Sequence, residues 1–433
     1  MTSTRSNNTI SDAGSAAGVW AMERMATDAA SKDADSVRVG VWKGPDEALL
    51  ALKAVYGFGQ TFESGHVAEE FRRAFTGRGA PRRRLKWPVN TVEYSFRHDV
   101  SGVRAKLCVV CDVAQLMRGE PRELLRTLVF ALDCVHRARE VTGFLCPAEA
   151  IPCCLSVVVV LWRQGRRLPH PGCSVDSDHV NAGFCTWATE LSGAGETWGG
   201  SRPWANILVY RAQHAHKVLI HEVIHGCGLD AGLLTGDARQ EAAEAAVMRE
   251  LDYSSTNGSL DGGEAFTETL ACFWHMFRVA PSHCLTGAAA AGRKRIRRPR
   301  HPVEEVARLW ERERRRAMSV CSLLVRHFET GAASTDTAAR KGEGGVHRLR
   351  LSRTVENAHV MSYFFGKAAL WSDYMHRLPC VCLCTTPSSS PTETTATFWS
   401  VFERALTDDA FWRAVFCTPP ASRLTMTSLG VSA

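Results

Sequence analysis

The sequence of 433 residues lacks an apolar run long enough to cross a bilayer. Its most apolar stretch, residues 154–162 (CLSVVVVLW), is too short and is typical of a buried strand. The first residues, MTSTRSNNTISDAGSAAG, contain no basic segment followed by an apolar one, so they lack the features of a secretory signal. We therefore expect an intracellular protein without a membrane partner.

Paired cysteine motifs are scarce, although the chain has 16 cysteines. Without an export signal we expect no disulfide framework and reduced thiols. Cys108 and Cys111 form one C-x-x-C, but no second one follows at zinc-ribbon spacing. Their apolar neighbours in KLCVVCDV favour packing over metal binding. Cys380, Cys382 and Cys384 alternate in PCVCLC, which also favours packing on one face of a strand.

Charge of neither sign dominates the chain. The formal net charge is +7, with 22% charged and 45% hydrophobic residues, which is ordinary for a globular protein. A sizeable core can form at this length. The positive balance is compatible with nucleic-acid or acidic partners but does not require them. Composition alone therefore selects no function.

Strand-like segments precede most helical ones. Apolar or alternating runs predict strands at residues 37–42, 92–96, 105–110, 154–162 and 205–211. Helical spacing predicts helices at residues 121–139, around the segment at 218–226, and at 238–250, 263–279, 303–330, 355–376 and 398–416. This order predicts an α+β fold with a mixed sheet early and a helical C-terminal half.

One domain is predicted after a short tail. Residues 1–36 have little periodicity and are expected to form a flexible tail, and residues 37–433 a single elaborated domain. Flexible segments are expected inside that domain near 289–302, 331–345 and 384–397, where the composition is basic or rich in Gly, Ser, Thr and Pro.

Residues 218–230 read VLIHEVIHGCGLD, with His221 and His225 four residues apart and Glu222 between them. On a helix this spacing puts both imidazoles on one face, where they can bind one metal ion. Catalytic zinc takes three protein ligands and keeps one position for water, which Glu222 would deprotonate as general base. The alternative is a helix whose two histidines bind no metal. The apolar flanks, and the glycines that follow, favour the zinc site.

A third ligand must come from elsewhere. The segment GEAFTETLACFW carries Glu264 and Glu268, which lie 39 and 43 residues after His225 and share one helix face. Either carboxylate can reach the metal if this helix packs beside the histidine helix. Both are also compatible with solvated carboxylates near a helix N-terminus.

Known zincin classes separate these options. In metzincins the third ligand lies three residues after the glycine of H-E-x-x-H-x-x-G; that position is Ala231 here, and Asp230 comes one residue early. The segment Glu264-Ala-Phe-Thr-Glu268 resembles the glutamate helix of gluzincins. This resemblance implies Glu264 as ligand and Glu268 as a group that orients a zinc-binding histidine. Zincin folds also place an edge strand at the cleft, and residues 205–211 are the candidate.

Four segments resemble zinc metallopeptidases encoded by large nucleocytoplasmic DNA viruses: VNAGFCTW, ANILVYRAQHAHKVLIHEVIHGCGLD, GEAFTETLACFW and VENAHVMSYFFGKAAL. They lie within residues 180–275 and 355–370. The chain departs from that pattern in a basic insert after Ala291 and a Ser/Thr/Pro-rich stretch near Ser388. The resemblance implies a zincin-like domain, a Zn²⁺ cofactor, hydrolysis of a protein or peptide substrate, and a location in the host cytoplasm or the virion.

Two further site residues follow if the last of these segments packs over the cleft. Tyr363 would then donate a hydrogen bond to the developing oxyanion, with His359 as its rival. Asp230 would orient a zinc-binding histidine through the second ring nitrogen, or be a plain turn residue. The predicted site is thus His221, His225 and Glu264 as metal ligands, with Glu222 and Tyr363 as catalytic residues.

Two basic runs support a rival function. Residues 292–302 (GRKRIRRPRHP) hold six Lys or Arg in the eight positions from Arg293 to Arg300, and PRRRLK at 81–86 is a second cluster. Both are typical of solvated loops, nuclear-import signals or nucleic-acid patches, without the aromatic residues that stack on bases. The rival is a nucleic-acid-associated or structural viral protein whose zinc site is not catalytic. Glu222 separates the two functions, because a structural site needs no general base.

Overall fold

The structure, a computed structural model, describes residues 34–54, 87–142, 152–162, 168–170, 173, 175, 182–188, 204–230, 238–250, 260–289, 302–332, 360–373, 400, 402–425 and 427. These residues form an α+β fold. A mixed six-stranded sheet takes up the first half of the chain, and the residues after it are mostly helical.

The sheet is built from strands β1 (Ser36–Trp42), β2 (Val89–Arg97), β3 (Arg104–Cys111), β4 (Cys154–Val160), β5 (Gly183–Ala188) and β6 (Trp204–Val209). Their spatial order is β1-β2-β3-β4-β6-β5. β1, β2 and β3 form an antiparallel meander, β3, β4 and β6 run parallel, and β5 pairs antiparallel with β6 at the end of the sheet.

Both faces of the central strands are buried, which explains their continuous apolar sequences. In β4, Leu155, Val157 and Val159 belong to the main core cluster, whereas Val158 and Val160 belong to a second cluster on the other face. The main cluster continues from the sheet into the helices. The second contains Ala48 and Leu52 of the first helix.

Nine helices with assigned bounds follow or cover the sheet in the described ranges, and residues 402–407 form a further helical segment. The nine are α1 (Pro45–Ala54), α2 (Val113–Met117), α3 (Glu120–Thr142), α4 (Ala215–Gly226), α5 (Ala238–Glu250), α6 (Gly262–Ala289), α7 (Pro302–Ala332), α8 (Lys367–Asp373) and α9 (Asp409–Cys417). A π-helical segment, Met361–Gly366, leads into α8. α4 packs against β5, β6, α3 and α6, so it lies between the sheet and the helical half.

Most predicted elements are confirmed, with shifted ends. The predicted helix at 238–250 has the same bounds as α5, and the helix predicted at 263–279 is longer, since α6 continues to Ala289. The predicted helix at 398–416 is interrupted at Asp408, whose side chain caps α9 by accepting from the Ala410 amide. The sequence reasoning missed α1, α2 and β5.

The assignment of residues 205–211 to the sheet edge is wrong. β6 occupies that sequence but lies inside the sheet, with β4 on one side and β5 on the other. The strand at the end of the described sheet is β5, within the VNAGFCTW segment. β5 comes before β6 along the chain but lies outside it in the sheet. The sequence alone does not show this, because the order of strands along the chain does not determine their order in the sheet.

The C-x-x-C pair does not form a metal site. Cys108 and Cys111 are three residues apart on β3, so they point to opposite faces and belong to separate core clusters. Both are buried, and neither belongs to a disulfide.

Other sequence-based expectations concern membrane spans, the N-terminal tail, the basic runs and the segments predicted to be flexible. Among the described helices, none combines the length and apolarity that crossing a membrane requires. The described residues do not include residues 1–33, His359, or the three cysteines Cys380, Cys382 and Cys384. They also do not include the two basic runs, except for Pro302. Three segments inside the domain were expected to be flexible. Of these, Ala289, Pro302 and residues 331–332 are helical, and the other positions of the three segments lie outside the described residues.

Candidate metal centre

The histidine-bearing helix α4 is buried along most of its length. Every residue of its sequence, AHKVLIHEVIHG, except His225 is buried, and the helix packs against β5, β6, α3 and α6. His221 is 4% exposed and Glu222 is 5% exposed, so both are enclosed by the surrounding elements. The predicted one-turn spacing brings the rings of His221 and His225 to 4.7 Å between centroids.

Helix α6 presents Glu264 from its first turn. Asp261, just before α6, accepts a hydrogen bond from the Glu264 amide at 3.0 Å, which fixes the start of the helix. α6 packs directly against α4. Glu264 thereby faces both histidines.

Three atoms from these two helices converge on one point. The Nε2 atoms of His221 and His225 lie 3.0 Å apart, and Glu264 Oε2 lies 3.3 Å from each of them. Two atoms that each bind a zinc ion at about 2.1 Å with a tetrahedral angle lie about 3.4 Å apart. The triangle therefore has the size of one face of a tetrahedral metal site.

The bonding of Glu264 also fits a cation. Its Oε2 atom is buried and has no hydrogen-bond partner, although it is the atom that faces both Nε2 atoms. Buried polar atoms are nearly always hydrogen-bonded, and a buried carboxylate oxygen without a partner is unfavourable. A metal ion bound by the three atoms would satisfy this oxygen, so the residues present fit a metal.

Two more carboxylates hold the outward-facing ring nitrogens. Asp230 Oδ2 lies 2.7 Å from His225 Nδ1, and Glu268 Oε2 lies 3.2 Å from His221 Nδ1. Asp230 accepts from Nδ1–H of His225 and thereby selects the tautomer whose Nε2 is free to bind a metal, whereas Glu268 faces Nδ1 of His221 in an ion-pair contact. Asp230 is therefore more than a turn residue, and Glu268 contacts a histidine rather than completing the Nε2 triangle.

Glu222 lies between α4 and the edge strand β5. A Cβ atom at Gly183 would lie 2.9 Å from Glu222 Oε1 and 2.8 Å from Val218 Cγ1, so the strand approaches the helix closely only because residue 183 is glycine. Burial raises the pKa of Glu222 above its ordinary value, more than the nearby histidines lower it. A carboxyl group with a raised pKa is suited to accept and return a proton.

Tyr363 reaches the same centre from the C-terminal half. Its ring lies 5.9 Å from that of His221, and burial, nearby carboxylates and a hydrogen bond to Glu264 raise its pKa well above the ordinary value. The π-helical segment that carries it is joined to the start of α6, where Ser362 Oγ accepts from the Asp261 amide at 2.7 Å. π-Helical turns are frequent at functional sites.

The centre favours positive charge at the imidazoles. Burial by itself lowers the pKa of His221 and His225, but their acidic partners outweigh burial and raise both above the ordinary value. Burial raises the pKa of Glu264, yet the two histidines hold it well below the usual range. The same arrangement of charges would stabilise a bound cation.

Sequence reasoning missed two lysines behind the centre. Lys217 and Lys367 are 1% and 3% exposed, and both contact Glu268. Lys217 precedes His221 by four residues, so helical spacing alone could have predicted that the two side chains lie on the same face of α4. Nothing local connects Lys367 to Glu268, since that contact depends on how α8 packs.

Comparison with protein-family models, curated proteins and solved structures found no match for this chain. The resemblance to viral metallopeptidases stays a prediction, and the chemistry of the site has to be judged from its side chains.

Metal content tests the triangle directly. We expect about one metal ion per chain by elemental analysis after purification without chelators, and loss of that ion in His221→Ala and in Glu264→Ala, because each variant removes one of three ligands. His98→Ala is the matched control: His98 is equally buried but bonds to Ser101 and Asp133. Unchanged metal in either ligand variant would place the ion elsewhere.

The approach of β5 to α4 gives a second test. Gly183→Ala should destabilise the fold by about 1–3 kcal/mol, since the new methyl overlaps Val218 and Glu222 and neither can move freely. Gly44→Ala is the control, because a Cβ there meets nothing within 4 Å. Chemical denaturation of both variants measures the difference. Equal stability of the two variants would contradict the close packing of β5 on Glu222.

Proposed function

We propose that this chain is a zinc-dependent metallopeptidase that hydrolyses a protein or peptide substrate. The observation that carries the proposal is the convergence of His221 Nε2, His225 Nε2 and Glu264 Oε2 within hydrogen-bonding separations. Two imidazole nitrogens and one carboxylate oxygen are a ligand set of catalytic zinc sites.

The number of protein ligands supports a catalytic rather than a structural site. Within the described parts of the chain, the cluster able to hold a metal contains three residues. Structural zinc is closed by four protein ligands, whereas catalytic zinc keeps a position for water. A buried Glu222 beside the triangle also has a use in catalysis and none in a closed structural site.

The residues of the chain divide the work of hydrolysis. A bound zinc ion supplies Lewis acidity, which lowers the pKa of a water molecule and polarises the scissile carbonyl. Glu222 accepts the proton of the attacking water and returns it to the amine that leaves. Its raised pKa suits both steps. His221, His225 and Glu264 are held in place by Glu268, Asp230 and the cap of α6.

Tyr363 is the proposed donor to the oxyanion. It lies beside His221 and the ligand Glu264, and its raised pKa keeps the hydroxyl protonated, so that it can donate a hydrogen bond.

The order of elements supports a zincin-like fold. β6 leads into the histidine helix, and β5 lies antiparallel to β6 at the end of the described sheet, next to Glu222. An extended peptide can add to such an edge through main-chain hydrogen bonds. In this proposal β5, not β6, is the strand that a substrate backbone joins.

Replacing the general base separates metal binding from catalysis. Glu222→Gln should retain metal, since Glu222 is not a ligand, but lower peptide hydrolysis by roughly 10²–10⁴-fold. Digestion of a mixed peptide library, followed by mass spectrometry, measures the cleavage rate without a known substrate. Glu241→Gln on α5 is the control, because that side chain is exposed and should leave the rate unchanged. Cleavage by Glu222→Gln at the wild-type rate would overturn the mechanism.

A further inference from the structure

A buried ion cluster lies directly behind the proposed metal centre. It consists of Lys217 on α4, Glu268 on α6 and Lys367 on α8, with exposures of 1%, 0% and 3%. Lysine and glutamate are rarely buried to this extent unless they are paired. The three residues come from three different helices, so the carboxylate of Glu268 links α4, α6 and α8.

Both oxygens of Glu268 are occupied. Oε2 contacts Lys217 Nζ and also lies 3.2 Å from His221 Nδ1, whereas Oε1 lies 3.2 Å from Lys367 Nζ. A carboxylate held at both oxygens cannot rotate about its terminal bond. The plane of the group is therefore set by the lysines, and Oε2 is kept facing the histidine.

The lysines are placed to act on two different parts of the site. Lys217 is one helical turn before His221 on the same face of α4. Lys367 follows the π-helical segment that presents Tyr363 to the front of the centre. The segment approaches α6 closely there, because a Cβ at Gly366 would lie 2.8 Å from Ala265 Cβ.

We propose that Lys217 and Lys367 are positioning residues of the metal centre, which act through Glu268 to fix His221 with its Nε2 toward the metal and to tie the Tyr363 segment to α6. This proposal rests on the proposed function, since it assumes that His221 is a metal ligand. Outer groups that orient a ligating histidine contribute about 10–100-fold to metal affinity.

Charge balance alone is the competing explanation for the lysines. Glu313 on α7 is also buried, accepts a hydrogen bond from Thr427 Oγ1 at 2.6 Å, and acts on Lys367 electrostatically. Two lysines and two glutamates thus form a neutral group. If neutrality were the whole role of Lys367, removal of Glu313 would compensate for its loss.

The test is a titration of the metal-free full chain with Co²⁺, whose visible absorption reports both affinity and coordination geometry. Lys217→Met and Lys367→Met should each bind Co²⁺ about 10–100-fold more weakly than wild type, with an altered spectrum. Arg278→Met is the control: it removes a largely buried cation from α6 that pairs with Glu123 instead. We expect its Co²⁺ affinity to equal that of wild type.

A double variant separates positioning from charge balance and guards against simple misfolding. Lys367→Met/Glu313→Gln restores neutrality, so it should fold as wild type does by circular dichroism and denaturation, yet still bind Co²⁺ at least about 10-fold more weakly. Wild-type affinity in the folded double variant, or in both lysine single variants, would overturn the proposal. A wild-type chain that binds no Co²⁺ would contradict the metal centre itself.

Discussion

The packing of α4 against α6 is the contact on which the site depends. Each helix contributes one pair of side chains spaced one turn apart, His221 and His225 from α4 and Glu264 and Glu268 from α6. Because both pairs have the same helical spacing, one helix contact aligns all four groups. Glu264 meets the two Nε2 atoms, and Glu268 meets the opposite nitrogen of His221.

The rest of the fold holds this contact from two sides. On the sheet side, β5 presses against Glu222 at Gly183, where a side chain would not fit. On the helical side, the π-helical segment brings Tyr363 to the front of the centre, and Lys367 reaches the carboxylate behind it. The sheet therefore positions the proposed base, and the C-terminal half positions the proposed oxyanion donor.

Local spacing explains which parts could be predicted. The spacing of the histidine pair and the helix α5 follow from periodicity within one element, whereas Glu264, which the structure brings beside both histidines, was implied by a resemblance. The position of β5 and the contact of Lys367 with Glu268 depend on tertiary packing. Buried lysines are especially hard to predict, because a charged residue in a helix pattern normally indicates the solvated face.

X-ray absorption at the zinc edge of the purified chain is the most direct measurement of the central claim, because it identifies the atoms bound to the metal. We expect one zinc with only nitrogen and oxygen neighbours at about 2.0–2.2 Å, including the outer-shell scattering of two imidazoles. Sulfur neighbours at about 2.3 Å would place the metal on cysteines and contradict the account. A chain without zinc would contradict it as well.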